Sequence, residues 1–249
     1  LKAQHLVIHP ATKGVKGMYR TADHQGANNF EYPLAENGMR YTTVPNWKTG
    51  IHGATGFNEA GVGFSGTESI FARPDVLKID PYVEATGITE DDIPEVLLPR
   101  ARTAREGVEL LGSIIETIGA GEGFGVVIMD EREVWYLETG SGHNWLAQRA
   151  PRDRYFASGN QGRLQAYDPR SEDFLASKDL VSFAERNGFY DAKRDGAFNF
   201  SKAYTRDDER DRIYNDPRVW TMLRRLNPSL ELDPQAGRSY PVFLTPERK

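Results

Sequence analysis

Side chains able to handle an amide or its tetrahedral adduct occur at a few turns and strand ends of this chain. Asn58, Thr67, Glu68 and Asn160 sit there amid small residues. Asparagine and threonine in such places can orient a substrate amide or donate to a developing oxyanion. Asn58 can equally do no more than supply a turn conformation, which asparagine tolerates well. Arg218 lies in YNDPRVW, where a guanidinium can clamp a carboxylate with two hydrogen bonds or simply stand as a surface charge. His143, in GSGHNW just beyond a predicted strand, is the histidine best placed to meet a substrate. A structural, hydrogen-bonded ring is the plainer alternative for it.

Other chemistries lack their signatures. The 5 histidines are scattered and show no metal-ligand spacing such as H-E-x-x-H. No G-x-S-x-G elbow exists for a serine triad. The acids offer no evident glycosidase pair, although carboxylate separation is spatial and sequence hardly reveals it. GAGEGFG at Gly119 to Gly125 superficially suggests a phosphate loop. A dinucleotide fingerprint needs strand, glycines, then helix, and here the helix comes first, so a helix end and turn fit better. The chain has no cysteine, which removes disulfides, thiolate zinc sites and a cysteine nucleophile from this stretch.

Short strands separated by turns must carry the candidate residues. Leu6 to Ile8 and Met39 to Val44 have strand composition, and Gly53 to Ser69 predicts a hairpin turning at Asn58 to Gly61. Helical signals follow. Thr89 precedes EDDIPEVLL as a candidate N-cap. Thr103 with Glu106 forms a capping-box pattern before apolar positions Val108, Leu111, Ile114, Ile115 and Ile118, and Gly119 ends that helix. GFGVVIMD and EVWYLET predict a second hairpin through Asp130 to Glu133. Further strands are expected at Asn144 to Arg149 and Arg154 to Ser158. Ser177 caps a predicted helix to Glu185, and Asp216-Pro217 starts one running to about Leu226. Strands and helices come in blocks, which favours an α+β fold over a parallel doubly wound sheet.

The 249 residues are 39% apolar and 27% charged, a globular balance with no repeats or low-complexity linkers. A formal charge of -5 gives no basic field for nucleic acid. No apolar run reaches the length of a membrane span, and Leu1 to Pro10, short and containing His5 and His9, is not a signal peptide. These features predict a soluble protein.

Four ordered segments carry a more specific signal. They are GFNEAGVGFSGTESI, IDPYVEATGITEDDIPEVLLPRARTAREGVELLG, EVWYLETGSGHNWLAQRAPRD and DDERDRIYNDPRVWTMLRRLNPSL. Together, from about Leu1 to Leu226, the chain resembles the dipeptidase A family of N-terminal-nucleophile hydrolases. The resemblance implies a four-layer α/β/β/α sandwich of two antiparallel sheets, here an incomplete single domain over 1–249, truncated at both ends. It implies a terminal cysteine nucleophile whose own α-amino group is the general base. Leu1 offers no such side chain, so the nucleophile segment and the C-terminal part of the family are expected to lie outside this stretch, which would itself be inactive.

Carried over by resemblance, Thr67 and Glu68 fall where the superfamily places an oxyanion-hole residue, and Asn160 matches its second oxyanion-hole asparagine. Arg218 matches an arginine near the nucleophile, and Asn58 with Glu59 matches an Asn-Glu turn. The implied function is dipeptide hydrolysis with no metal or organic cofactor, in the cytoplasm of a bacterial-type cell, with a homo-oligomer as a possible assembly. Two alternatives stay open: an acyl-amide hydrolase of the bile-salt and penicillin acylase type, and a non-catalytic, secernin-like binding protein. A dipeptide predicts charge beside Thr67 and Asn160, and an acyl substrate predicts an apolar pocket.

Overall fold

In the computed structural model, described for residues 5–21, 27–45, 53–234 and 236–247 (all but the side chain at 238), two hairpins seed one large sheet. The first joins β5 (Gly53–Asn58) to β6 (Gly63–Thr67). At its turn the Gly61 N–H donates to the Asn58 carbonyl at 3.0 Å, and Gly61 has a φ of 84°, open to a residue without Cβ. The second joins β7 (Gly125–Met129) to β8 (Val134–Thr139). Here Asp130 Oδ1 accepts from the Arg132 and Glu133 N–H groups, and its Oδ2 accepts from Ala104 N–H at 2.7 Å. One aspartate thus closes the turn and ties it to the start of a helix.

The strands β1 (Val7–His9), β4 (Tyr41–Pro45), β9 (Trp145–Arg149) and β11 (Phe174–Ala176) complete an eight-stranded sheet. Its order is β1-β4-β5-β6-β7-β8-β9-β11, and each neighbouring pair is antiparallel. A small hairpin of β2 (Met18–Arg20) and β3 (Glu31–Pro33) stands beside it. β10 (Tyr155–Phe156) pairs with β12 (Phe243–Leu244) as a separate two-stranded sheet.

Helices flank the large sheet on both faces, and those carrying Val76, Leu180 and Phe200 pack with Tyr136 and Leu146, opposite the face of Trp135 and Leu137. α1 (Pro74–Leu77) and α2 (Ile93–Leu97) precede α3 (Ala104–Thr117), and α4 (Leu180–Arg186), α5 (Ala192–Asp195), α6 (Phe200–Tyr204) and α7 (Asp216–Leu226) come later. α3 begins as its sequence dictates: Thr103 accepts from the Glu106 N–H at 3.1 Å. Its apolar stripe packs Val108, Leu111 and Ile115 with Val126, Ile128, Trp135 and Leu137 of the sheet. Gly112 lets helix and strand approach, since a Cβ there would lie 2.0 Å from Cζ2 of Trp145. Two caps differ from the sequence reading. α2 starts after Asp92, not Thr89, because Asp92 Oδ2 accepts from both the Thr89 N–H and hydroxyl. α4 starts after Asp179, since the Ser177 hydroxyl is drawn to Trp145 N–H and Asn144 Oδ1 instead.

The face opposite α3 also carries the second sheet. Phe156 of β10 packs at a tilt against Tyr136 of β8, with ring centroids 4.3 Å apart, and against Phe243 of β12 at 5.7 Å. Tyr155 and Leu244 turn the other way, against Val219 and Leu223 of α7. Helices, large sheet, small sheet and α7 therefore succeed one another, the α/β/β/α order expected, with two strands in the second sheet among the described residues. It covers only part of that face. Ile8, Thr42 and Phe57 lie in one register row, and Ile8 is 65% and Phe57 52% exposed. No helix among the described residues is long and apolar enough to cross a membrane.

Candidate active site

β6 ends at Thr67, directly opposite Gly125 of β7. Beside that strand end the chain leaving β10 runs through Ser158, Gly159 and Asn160. A cavity of about 430 Å³ opens between them, lined by Ser65, Thr67, Ser69, Tyr136, Asn160 and Arg218, with glycines and Val127 and Phe156 completing the wall. The floor has a steric requirement, because a Cβ at Gly125 would come 2.5 Å from the Tyr136 hydroxyl. Tyr136 lies beside Glu138 and Ser158; burial first, and then the Glu138 carboxylate, push its phenol well above the ordinary value.

Arg218 and Asn160, far apart in sequence, meet here. Nη1 of Arg218 donates to Oδ1 of Asn160 at 2.6 Å, and its guanidinium lies over the Tyr214 ring, 4.7 Å from the centroid. That contact occupies the acceptor end of the Asn160 amide. Its Nδ2 hydrogens have no protein acceptor among the described residues. Just before α7, residues Asp211–Asn215 form a π-helical turn, a geometry frequent at functional sites. The Asn215 side chain from that turn grips the Asn160 main chain, donating from Nδ2 to its carbonyl at 3.0 Å and accepting its N–H at 2.9 Å.

Below the cavity a second buried polar layer links the sheets. Glu138, with no exposed surface, accepts from the N–H groups of Arg163 and Leu164 at 2.7 and 3.1 Å. Arg163 is 1% exposed; its guanidinium donates to the carbonyls of Gly237, Tyr240 and Pro241, pinning the C-terminal segment. Burial pushes Glu138 up to about 7, against the pull of those N–H groups and the Arg163 charge.

The structure brings Thr67, Asn160 and Arg218 to one cavity. Glu68 follows Thr67 and is exposed beyond the lining. Asn58 and His143 do not line it. The Asn58 amide is saturated: Nδ2 donates to the carbonyls of Leu98 and Ala101, and Oδ1 accepts from the N–H groups of Ala60 and Val62. His143 keeps 43% of its side chain exposed, and its Nδ1 sits 2.7 Å from Asp80 Oδ1. Burial raises Asp80, but hydrogen bonds from Ser141 and His143 outweigh it and hold that carboxyl below its usual range. Sequence reasoning passed over Ser158, Asn215 and Tyr136. Only Asn215 carried a signal, as the neighbour of Arg218 in YNDPRVW.

Two other clefts are larger. One, of about 680 Å³, is lined by Arg105, Arg132, Arg149 and Arg152. Its arginines are partly engaged by neighbouring acids, as Arg149 is by Asp173 and Glu133. The other, of about 670 Å³, lies around Arg73, Phe189 and Arg194, where Arg73 pairs with Asp75. The first has no asparagine or glutamine in its lining, and in the second the Asn199 side chain caps α6, accepting from the Lys202 N–H. No group of three His, Asp or Glu residues among those described could hold a metal ion.

Against known proteins, the chain is 52% identical over 250 residues to a probable dipeptidase of Salmonella dublin, covering 99% of this chain and 57% of that protein. It is 41% identical over 212 residues to a probable dipeptidase A of Streptococcus pyogenes serotype M3, covering 84% of this chain and 45% of that one. The chain thus spans about half the length of these curated relatives. Among solved structures, penicillin V acylase from Agrobacterium tumefaciens aligns with a TM-score of 0.41 at 12% identity, over 59% of this chain and 42% of that one. The model of peptidase family C69 matches residues 1–249, and the chain belongs to that family.

Proposed function

We propose that this cavity is the hydrolytic site of a dipeptidase whose nucleophile is an N-terminal cysteine thiol. The Arg218–Asn160 hydrogen bond carries the reading. It fixes an asparagine amide with its donor end unpaired and sets a cation beside it, the charged pocket that a dipeptide requires and an apolar acyl group does not. The chain has no cysteine, so on this reading the thiol comes from sequence outside these 249 residues, with its α-amino group as general base. The thiolate attacks the scissile carbonyl, and the Asn160 Nδ2 and the Thr67 hydroxyl stabilise the oxyanion. Collapse expels the amine of the second amino acid and leaves a thioester, which water hydrolyses. Arg218 orients Asn160 and draws the dipeptide carboxylate, while Glu68 adds a negative charge at the rim. Asn58 and His143 serve the scaffold. We take the substrates to be small free dipeptides met in the cytoplasm.

The test is dipeptide hydrolysis by the intact protein, with and without a thiol-alkylating reagent. Turnover lost on alkylation is expected, together with a kcat about 10²–10³-fold lower in Asn160→Ala, the usual cost of one oxyanion donor. No turnover on a broad dipeptide panel, or a clear preference for apolar acyl amides, would sink the dipeptidase reading.

A further inference from the structure

Asn160 can act as an oxyanion donor only if its main chain is fixed, because a small displacement of a catalytic donor is costly. Strand pairing does not supply this, since β10 ends at Phe156, ahead of the segment that lines the cavity. We infer that Asn215 is the positioning residue of the site, holding Asn160 and, through it, the donor geometry of the reaction. The inference rests on the reading of the cavity as a hydrolytic site.

The Asn215 side chain stands in for a missing strand. Its amide exchanges two hydrogen bonds with the Asn160 main chain, as a paired strand residue would, with Oδ1 accepting at 2.9 Å and Nδ2 donating at 3.0 Å. The same Oδ1 lies 3.4 Å from Nη1 of Arg218, the group that turns the Asn160 amide. Asn215 and Arg218 are three residues apart at the head of α7, a spacing that puts both on one face. Asn215 therefore sets the main chain of Asn160 and steadies the cation that sets its side chain.

The clamp is itself braced. Asn215 is 1% exposed, and its Nδ2 also donates to Oδ1 of Asp211 at 2.7 Å. Asp211 is in turn 3.6 Å from Nη2 of Arg206. The π-helical turn brings Asp211 and Asn215 together, and closes with the Asp216 N–H donating to the Asp211 carbonyl. Next door, Gln161 Nε2 donates to Asp216 Oδ1 at 2.9 Å, so two consecutive residues of one segment are held by two of the other. Gly159 makes the approach possible. A Cβ there would sit 3.0 Å from Asn215 Oδ1 and 3.2 Å from its Cβ.

A structural role alone and a positioning role differ in their kinetics. In the intact protein, Asn215→Ala is expected to lower kcat for a dipeptide about 10²-fold, comparable with losing one oxyanion donor, with KM within about 3-fold. Placed on Asn160→Ala, the same substitution is expected to cost less than about 3-fold more, because two residues acting as one unit are not additive. Equal losses in both backgrounds, or an unchanged kcat where Asn160→Ala is impaired, overturn the inference while leaving the dipeptidase reading intact. An unimpaired Asn160→Ala enzyme instead removes the site reading. Amide hydrogen exchange then decides the positioning claim without reference to turnover. In Asn215→Ala, protection is expected to fall at residues 157–161 and to persist in α3, whose protection also shows that the variant is folded. Unchanged protection at 157–161 overturns it.

Discussion

The two faces of the large sheet differ in how much buried polar structure accompanies their apolar packing. Under α2 and α3 the contacts are mainly apolar: Val126, Ile128, Trp135, Leu137 and Trp145 meet Leu97, Val108, Leu111 and Ile115, all buried, and the buried Asn58 amide there is fully bonded. Across the sheet, the face that bears the cavity keeps apolar sets around Tyr136, Leu146 and Phe200 and around Val219, Leu223 and Tyr240, but among them buries Glu138, Arg163, Gln161, Asp211, Asn215 and Asp216. Apolar packing is non-directional and tolerates small errors in placement, whereas each buried polar group demands a partner at fixed distance and angle. Both faces supply adhesion, and the cavity side adds geometry at an energetic cost.

Arg163→Met should break that contrast hardest. It strips the partner from the carbonyls of Gly237, Tyr240 and Pro241 and leaves Glu138 buried without its nearest cation. A loss of about 3–5 kcal/mol is expected, as when one member of a buried charged network is removed. Exchange at Tyr155–Phe156 and Phe243–Leu244 should rise first while α3 stays protected. Simultaneous loss of protection in both places would show that the two faces are not separate units.

Gly112→Ala attacks the apolar face. Its new methyl would overlap the Trp145 ring, and a cost near the upper end of the about 1–3 kcal/mol typical of overpacking is expected in thermal unfolding. α3 and the sheet should lose protection together. A neutral substitution would mean that the helix can slide, and that this face is less tightly set than its contacts imply.

The mildest test is pH. Glu138 is held up to about 7 by burial, Glu122 to about 7 by burial and neighbouring acids, and Glu90 to about 8 by burial and then Glu122. In the folded chain these carboxyls keep protons that the unfolded chain releases near the ordinary value of about 4.3. Between those limits the folded state binds more protons, so stability falls as pH rises from about 4.5 through 7 and on toward 8. Asp80, held low, acts only below that window. Melting should therefore be a few degrees lower at pH 8 than at pH 5.5, with the slope reduced in Glu138→Gln. A higher melting temperature at pH 8 would contradict the buried-acid account.

Much of the apolar face was legible in the sequence because its signals are local. The Thr103 cap, the stripe from Val108 to Ile118 and the Asp130 turn each depend on residues a few positions apart. The site face was legible only in pieces. Physics alone left Asn160 and Arg218 as plain polar residues, and resemblance picked them out; neither disclosed that a side chain at 215 completes the hydrogen bonding of a main chain at 160. The misplaced caps at Thr89 and Ser177 have the same origin. Both hydroxyls were free to cap locally, and both were taken by partners, Asp92 and Trp145 with Asn144, whose claims the local pattern did not weigh.

The pairing of β10 with β12 carries a temporal consequence. On a ribosome, the strands of the large sheet have all emerged once Ala176 is out, and most are joined by short loops that close at little entropic cost. Tyr155 must wait for Leu244 before its strand has a neighbour. During that interval the sheet face at Tyr136 already has its apolar neighbours Leu146, Leu180 and Phe200, while Phe156 still lacks Phe243. The wall that carries Asn160 is built after the large sheet.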